Sequence, residues 1–325
     1  MNDQRNLYGR RGVAAAVGSA FLFGISAPLS KLLLDNMSPW MLAALLYLGA
    51  GIGLAIYRLA SRAPRVHLPK ADRPWLLAAV LIGGVVAPVL LMFGISQMPA
   101  TGASLLLNSE AVFTALIAWW VFREHVSGRI ALGMAAIVAG AVLVTVPSAA
   151  DLGAGWAPLA VLAACLCWAL DNNLTRRVSD TDPSWIAMVK GLFAGTTNLV
   201  LALLLGSELP QLSAAVFGML LGFAAFGVSL TLFVVALRRL GTARTGAYLA
   251  LAPFIGALLA VALGEPITLS LGAAAILMAL GVWLHISEHH EHEHTHPAAV
   301  AGLEPIRHTH PHYPDTDHRH NHKDV

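Results

Sequence analysis

Several residues that can carry charge lie inside long apolar stretches of this chain. The clearest are Glu110, Asp171 and Lys190, each of which lies within a segment rich in small and branched apolar residues. Ionisable groups at membrane depth are costly, so they usually bind a solute or an ion, pair with one another, or line a water-filled path. A carboxylate at the position of Glu110 could couple transport to protons. A structural ion pair is the alternative interpretation of the same residue.

Amides and a second lysine complete the candidate substrate or coupling residues. Asp171 begins a run of three polar residues, and the next apolar segment carries Lys190 at comparable depth. The two residues are a natural pair, which either joins two helices or binds a polar or zwitterionic substrate. Lys31 is either a lysine that extends its charge towards the membrane surface or a functional residue. The full set is Glu110, Asn108, Asp171, Asn172, Asn173, Lys190 and Lys31.

The C-terminal tail has a different chemistry. Its histidines are interspersed with Glu and Asp, and it has almost no apolar content, which predicts disorder in the absence of metal. Neutral imidazole suits zinc, nickel, cobalt and copper, so the tail is predicted to bind such a metal. Incidental binding by a solvated tail is the alternative. The predicted ligands are His289, His290, His292, His294, His296, His308, His310, His312, His318, His320 and His322.

Ten apolar segments must position these residues. About twenty apolar residues cross the hydrocarbon core of a bilayer as a helix. The composition, 57% hydrophobic and 12% charged, does not suit a soluble domain of this size. The sequence therefore predicts an all-α membrane protein with ten transmembrane helices. The segments, numbered 1 to 10, lie near 13–34, 39–60, 75–97, 100–122, 128–147, 156–178, 184–205, 213–238, 242–263 and 267–286.

The basic residues predict how these segments are oriented. Lys and Arg favour cytoplasmic loops, and with a cytoplasmic N-terminus nearly all of them fall on that side. Acids dominate the opposite loops, and only Lys31 and Lys190, within or near segments, break the pattern. Both termini are thus predicted to lie in the cytoplasm, with the chain in the inner membrane. The slight positive net charge reflects topology and does not indicate nucleic-acid binding.

The two halves of the chain resemble each other. Glu124 and Glu265 occupy matching positions at helix ends, and Gly140 matches Gly281. Each half holds five segments, so the second half must enter the membrane from the opposite side, which gives an inverted 5+5 repeat. The predicted units are 12–147, 155–286 and the tail 287–325. Chance similarity between Ala- and Leu-rich helices is the alternative explanation.

Small residues predict where helices approach closely. Gly49 and Gly53 in segment 2 lie four residues apart, and Gly218 and Gly222 repeat this spacing in segment 8. Residues with this spacing share a helix face, and the missing side chains let two backbones come together.

The chain resembles the EamA-type branch of the drug/metabolite transporter superfamily over about residues 12–286. The resemblance is carried by Phe23-Gly-Ile-Ser-Ala-Pro, by Cys167-Trp-Ala-Leu-Asp-Asn-Asn-Leu-Thr-Arg-Arg and by the two Glu-bearing helix ends. It implies ten helices, an inverted repeat, and transport of small metabolites without a nucleotide cofactor. It does not imply one substrate, because the family carries many.

Three functions are compatible with these patterns. The favoured one is a secondary transporter that exports a small polar metabolite or drug by alternating access. A nickel, cobalt or zinc transporter, or a metal-regulated permease that uses the tail, is the alternative. A non-transporting metal sensor or buffer would need neither an inverted repeat nor buried charges. The sequence lacks an HExxH motif, a nucleophile elbow and a nucleotide loop, so no enzyme is expected.

The partners that this interpretation implies are few. A small molecule or ion is the substrate, and the lipid bilayer surrounds the helices. No nucleic acid and no required cofactor are expected, apart from a metal bound by the tail. The sequence leaves a homodimer open.

Overall fold

Apolar α-helices make up most of the computed structural model. It describes residues 2–122, 128–145, 155–175, 178, 181–240, 242–286, 290–296 and 306–312. Long runs of Leu, Ala, Val and Ile make these segments apolar. An α-helix pairs its backbone N–H and C=O groups within one segment, which is what a lipid environment requires. In chain order the helices are α1 (Asn2–Gly24), α2 (Ser26–Leu34), α3 (Pro39–Ala60), α4 (Arg73–Ala79), α5 (Ala87–Gln97), α6 (Ala100–Leu106), α7 (Ser109–Phe122), α8 (Gly128–Thr145), α9 (Ala157–Thr175), α10 (Pro183–Leu204), α11 (Leu212–Gly222), α12 (Ser229–Leu240), α13 (Thr242–Leu249), α14 (Ala252–Ala262) and α15 (Leu269–Ile286).

Eight helical stretches are long and apolar enough to cross a membrane. They are Arg11–Leu34, Pro39–Ala60, Lys70–Gln97, Ala100–Val121, Gly128–Thr145, Ala157–Thr175, Pro183–Leu204 and Leu212–Ala236. Two shorter apolar helices follow, Ala252–Ala262 and Leu269–Leu284. The chain is therefore a multi-pass helical membrane protein. Ten spans and their 5+5 arrangement stay predictions, because segments 9 and 10 correspond to the two shorter helices.

Five of the predicted segments are not uniform α-helices. Segment 1 divides between α1 and α2, segment 4 between α6 and α7, and segment 9 between α13 and α14. Segments 3 and 8 each contain a π-helical segment, Val80–Val86 and Phe223–Val228. A π turn shifts the backbone hydrogen bonds by one residue and is frequent at functional sites. The hydrophobic pattern of the sequence predicts continuous helices here, because an extra residue in one turn barely changes it.

Glycines bring α3 and α11 together, as their spacing predicts. A Cβ built on Gly49 would lie under 3.0 Å from the backbone of Met219, and one built on Gly222 would lie equally close to the backbone of Leu46. The two helices thus meet backbone to backbone. The predicted close approach is confirmed.

The same helix, α3, packs against α10 through a second glycine contact. A Cβ built on Gly51 would lie under 3.0 Å from the backbone of Leu192, and one built on Gly191 would meet the backbone of Gly51. Met41, Leu42 and Leu46 of α3 are fully buried. Helix α3 therefore lies in the interior and connects the first half of the chain to α10 and α11 of the second half.

Two short strands lie in the histidine-rich tail. His290–His296 pairs antiparallel with Ile306–His312, and the register sets His290 opposite His312, His292 opposite His310 and His294 opposite His308. The structure differs here from the predicted disorder, because a sequence that alternates residue types has the period of a strand. His289, His318, His320 and His322 lie outside the described residues.

Candidate functional site

An ion pair inside the helical bundle is the centre of the candidate site. Lys190 of α10 donates to both carboxylate oxygens of Asp171 on α9, at 2.6 Å from Oδ1 and 2.5 Å from Oδ2. The Asp171 side chain is 8% exposed and that of Lys190 is 17% exposed. Thr175, one turn further along α9, donates to Asp171 Oδ1 at 2.9 Å. The pair predicted from the depth of the two residues is confirmed.

A second polar contact lies beside this ion pair, between α7 and α9. Asn172 Nδ2 donates to Glu110 Oε1 at 2.8 Å. Glu110 stands in the first turn of α7 and is half-buried, whereas Asn172 is exposed. This contact is therefore the accessible side of the polar cluster, and the Asp171–Lys190 pair is its buried side.

The π-helical segment Val80–Val86 holds the ion pair in place. The carbonyl oxygen of Gly83 accepts two hydrogen bonds, from Tyr47 Oη at 2.9 Å and from Trp168 Nε1 at 3.0 Å. A Cβ built on Gly83 would lie under 3.0 Å from the carboxylate of Asp171. The Asp171 carboxylate thus occupies the space that a side chain at position 83 would fill. Tyr47 and Trp168 fix the backbone beside it.

A buried amide also contacts the π-helical segment Val80–Val86. Asn198 of α10 is fully buried, and its Nδ2 lies 3.4 Å from the carbonyl oxygens of both Gly84 and Val85. Three side chains from three helices, α3, α9 and α10, therefore bind carbonyl groups of one π-helical segment. The irregular backbone is stabilised by protein groups, as irregular backbone at membrane depth must be.

Sequence reasoning missed most of these supporting residues. Thr175 could have been found, because it lies one turn from Asp171 on the same helix face. Gly83 had a weaker signal, two adjacent glycines inside an apolar segment. Tyr47 and Trp168 had none, because they bind a backbone carbonyl, which carries no residue type to recognise.

Two predicted site amides bond to their own helices instead. Asn108 Nδ2 donates to the carbonyl oxygen of Leu105 at 3.0 Å, and Asn173 Nδ2 donates to that of Ala169 at 2.8 Å. Both side chains are buried. The structure therefore gives their donors local partners and does not join them to the cluster of Glu110 and Lys190.

Lys31 lies away from this cluster, at the turn between α5 and α6. Its ammonium donates to the carbonyl oxygens of Ile95 at 2.7 Å, Ser96 at 3.3 Å and Met98 at 3.0 Å. A cation at the carbonyl end of a helix satisfies acceptors that have no partner within the helix. Lys31 thus caps α5. This role explains its position near a segment end, and no contact with a substrate is needed to explain it.

Glu265 caps the next helix from the opposite half of the chain. Its two carboxylate oxygens accept hydrogen bonds at 2.7 Å from the backbone N–H groups of Ala100 and Thr101, and Oε2 also accepts one from the Thr101 hydroxyl. A carboxylate at a helix N-terminus is stabilised by the free N–H groups and the helix dipole. The α5–α6 turn is therefore held between Lys31 and Glu265. The matching residue Glu124 lies outside the described residues.

A third charged contact lies at the C-terminal end of α3. Arg58 donates to Asp182 Oδ2 at 2.8 Å, and Asp182 Oδ1 caps α10 by accepting from the N–H of Ser184. Burial alone would raise the pKa of Asp182. Hydrogen bonds from Ser184 and Arg58 outweigh it and lower the pKa to about 2. This contact fixes α10, the helix that carries Lys190, to α3.

Metal ligation has little support within the bundle. Among the residues that the structure describes, no group of three or more His, Cys, Asp or Glu side chains is placed to hold a metal ion. The two carboxylates of the polar cluster, Glu110 and Asp171, are bound by Asn172 and Lys190. The geometry of the cluster suits a polar organic group better than a bare divalent cation.

Comparison with protein families gives a match over both halves of the chain. The model of the EamA-like transporter family matches residues 10–146 and again residues 155–287. A protein of Methanothermobacter thermautotrophicus named as an uncharacterized transporter is 31% identical in an alignment of 303 positions that covers 86% of this chain and 88% of that protein. The uncharacterized transporter YyaM of Bacillus subtilis is 22% identical, over 82% of this chain and 90% of its own length.

A solved structure shares the fold. One crystal structure of a protein aligns with a TM-score of 0.62 at 19% sequence identity. The alignment covers 85% of this chain and 96% of the other. At this identity the likeness concerns the arrangement of helices alone.

Proposed function

The chain belongs to the EamA-like transporter family, and from that membership we propose that it is a secondary transporter that exports a small polar metabolite or drug by alternating access. The observation that carries the proposal is the polar cluster of Glu110, Asp171 and Lys190, contributed by three apolar helices. Ion pairs buried at membrane depth contribute little net stability, so a role in binding explains their presence better.

An inverted repeat of five plus five helices is part of this proposal. Its support is that the family model matches the chain twice and that irregular backbone falls in corresponding segments of the two halves. Segments 3 and 8 both contain a π-helical segment, and segments 4 and 9 are both interrupted near the middle. In an inverted repeat the two halves exchange conformations, so a central site opens first to one side and then to the other.

The proposed orientation places both termini in the cytoplasm and the chain in the inner membrane. It rests on the distribution of Lys and Arg among the loops. With this orientation the α5–α6 turn, which Lys31 and Glu265 contact, lies at the outer end of the bundle. The Arg58–Asp182 pair lies at the inner end.

Replacing Glu110 by Gln, or Lys190 by Ala, is expected to abolish transport. Glu110→Gln should keep the stability of the unmodified chain, whereas Lys190→Ala should lose about 3–5 kcal/mol because Asp171 stays buried without its partner. Cells that overproduce the chain should resist toxic amounts of its substrate in a screen of metabolites, drugs and metals. Both variants should remove that resistance, because each deletes a charge from the site.

The matched control is Glu208→Gln, which removes a carboxylate from an exposed loop. Its resistance should equal that of the unmodified chain. Resistance that persists in Glu110→Gln and Lys190→Ala, at normal levels of folded protein, would remove both residues from the mechanism.

Metal binding by the tail is a second candidate function. It is favoured by the strand register, in which three histidines of one strand lie opposite three of the other. Neutral imidazole is a common ligand of zinc and of similar metals. Such a tail would serve a metal-regulated permease, a nickel, cobalt or zinc transporter, or a membrane metal sensor.

Truncation after Ser287 is expected to remove most zinc and nickel binding from the purified protein. Isothermal titration calorimetry of the full chain and the truncated chain measures this directly, with copper and cobalt as further probes. The helical bundle should unfold at the same temperature in both proteins. Equal binding with and without the tail would contradict the assignment of metal to the histidines.

A further inference from the structure

We propose that the transported solute carries a net positive charge and that Glu110 is the counter-ion for its ammonium group or a similar cation. The inference rests on the proposed function and names the substrate class for the same site. It follows from the charges in the polar cluster, from the access to Glu110 and from the hydrogen-bonding groups around it.

The charges of the cluster do not cancel. Asp171 and Lys190 neutralise each other, since the ammonium contacts both carboxylate oxygens. Glu110 is bonded to a neutral amide, that of Asn172. Within the part of the chain that the structure describes, no Lys, Arg or His forms an ion pair with Glu110. The cluster therefore carries one net negative charge whenever Glu110 is ionised.

Other groups near Glu110 do not supply the missing positive charge. Among the described residues, Cys165 of α9 and Tyr47 of α3 also lie close enough to interact with the cluster, and both are uncharged when protonated. Helix α8, which also packs against α7, carries Arg129 in its first turn, where it stacks on Trp283 at 5.4 Å. The N-terminus of α7 contributes about half a positive charge, which reduces the negative charge without cancelling it.

A solute can reach this carboxylate. Asn172 is exposed and Glu110 is half-buried, whereas the ion pair behind them is buried. Because a carboxylate that faced acyl chains would be very costly, the proposal places the open side of this contact towards a polar path between helices. The Asp171–Lys190 pair lies behind Glu110, and its two charges cancel. Glu110 is thus the charged group that a solute would meet first.

Oxygen atoms without partners lie on the same helix. The hydroxyls of Ser109 and Thr114 are buried and have no hydrogen-bond partner among the residues that the structure describes. Ser109 adjoins Glu110, and Thr114 lies one helical turn beyond it on the same face. Buried polar atoms are nearly always bonded, so an absent donor is a reasonable explanation for both. A primary ammonium has three N–H donors and would supply them, and a quaternary ammonium that carries a hydroxyl would supply one O–H donor.

Other substrate classes fit this arrangement less well. An anion would meet a carboxylate, and Lys190, the lysine of the described cluster, is already bound to Asp171. A zwitterion would leave the extra negative charge of the site in place, unless Lys190 released Asp171. In the empty site a proton on Glu110 can balance the charge, so a cationic solute and a proton would compete for the same carboxylate.

Binding of matched small molecules to the purified full-length chain tests the inference. The cationic probes are choline and hexylammonium. Their neutral analogues are dimethylbutanol and hexanol, and hexanoate is the anionic analogue. Thermal unfolding in detergent should show stabilisation by at least one cation and by none of the neutral or anionic analogues. Glu110→Gln should weaken that binding by about tenfold or more, because it removes the counter-ion.

Two further variants separate a charge effect from a folding effect. Glu110→Asp keeps the charge and should keep the preference for cations with reduced affinity, and Glu208→Gln should bind as the unmodified chain does. Stabilisation by hexanoate or by the neutral analogues, undiminished stabilisation of Glu110→Gln by cations, or stabilisation by neither cation would overturn the proposal.

Its failure can be told apart from failure of the proposed function. If the resistance screen identifies a neutral or anionic solute whose export needs Glu110, transport stands and the cationic class is wrong. If overproduction of the chain alters tolerance to no solute, the transport proposal itself loses its support, whatever the probes bind.

Discussion

Asp171→Asn is expected to lower the free energy of unfolding by about 3–5 kcal/mol, the cost of leaving one member of a buried ion pair without its partner. Lys190 is 17% exposed, and the described contacts of its ammonium are with the Asp171 carboxylate. The asparagine keeps the shape of the side chain but not its charge. Unfolding of the purified protein in mixed micelles, followed by circular dichroism, measures the loss.

A double-mutant cycle distinguishes a lost ion pair from a general packing defect. Adding Lys190→Met to Asp171→Asn should recover most of the stability, because no uncompensated charge is left, yet transport should stay abolished. Thr175→Val, which removes one neutral hydrogen bond to Asp171, should cost only about 0.5–1.5 kcal/mol. If the two charge substitutions simply add, the pair is not coupled and the electrostatic account of the site is wrong.

The sequence was sufficient to predict the charged pair for a simple physical reason. Consecutive helices joined by a short connection run antiparallel, so Asp171 and Lys190 at similar depth must meet if both turn inward. Depth alone does not indicate how Asn108 and Asn173 bond. A helix carries carbonyl groups of its own, and an amide can bond to one of them three or four residues earlier.

The π-helical segments could not be predicted from the hydrophobic pattern. Val80–Val86 is apolar throughout, and its irregular bonding is stabilised by Tyr47, Trp168 and Asn198 from other helices. Only the tertiary structure brings those donors to the segment. The role of Lys31 was open for a similar reason, since the carbonyl groups it binds become available only where α5 ends.

The glycine faces were more predictable, because close backbone contact tolerates almost no other residue. Helix α3 contacts α11 through Gly49 and Gly222 and contacts α10 through Gly51 and Gly191. Any movement of the second half relative to the first must therefore preserve or slide these contacts. Glycine thus supplies both the tight packing and the smooth surface that the proposed alternating access would require.

Gly222→Ala is expected to lower the free energy of unfolding by about 3 kcal/mol, the upper part of the range for an overpacked interior. The added Cβ would lie under 3.0 Å from the carbonyl of Leu46, a backbone group that cannot turn away. Helices α3 and α11 would have to separate, and Leu42 and Leu46 would lose their close packing. Thermal unfolding in detergent, together with the resistance assay, reports both the stability and the functional cost.

Gly218→Ala is the matched control, since Gly218 lies one turn earlier on the same face of α11. Its added Cβ would lie 3.6 Å from the Cβ of Leu45, which is ordinary van der Waals contact. That variant should be neutral or gain up to about 1 kcal/mol from the higher helix propensity of alanine. The contrast between two glycines four residues apart isolates the backbone contact from every general effect of the substitution. Equal stability of the two variants would show that α3 and α11 are not held at the distance described.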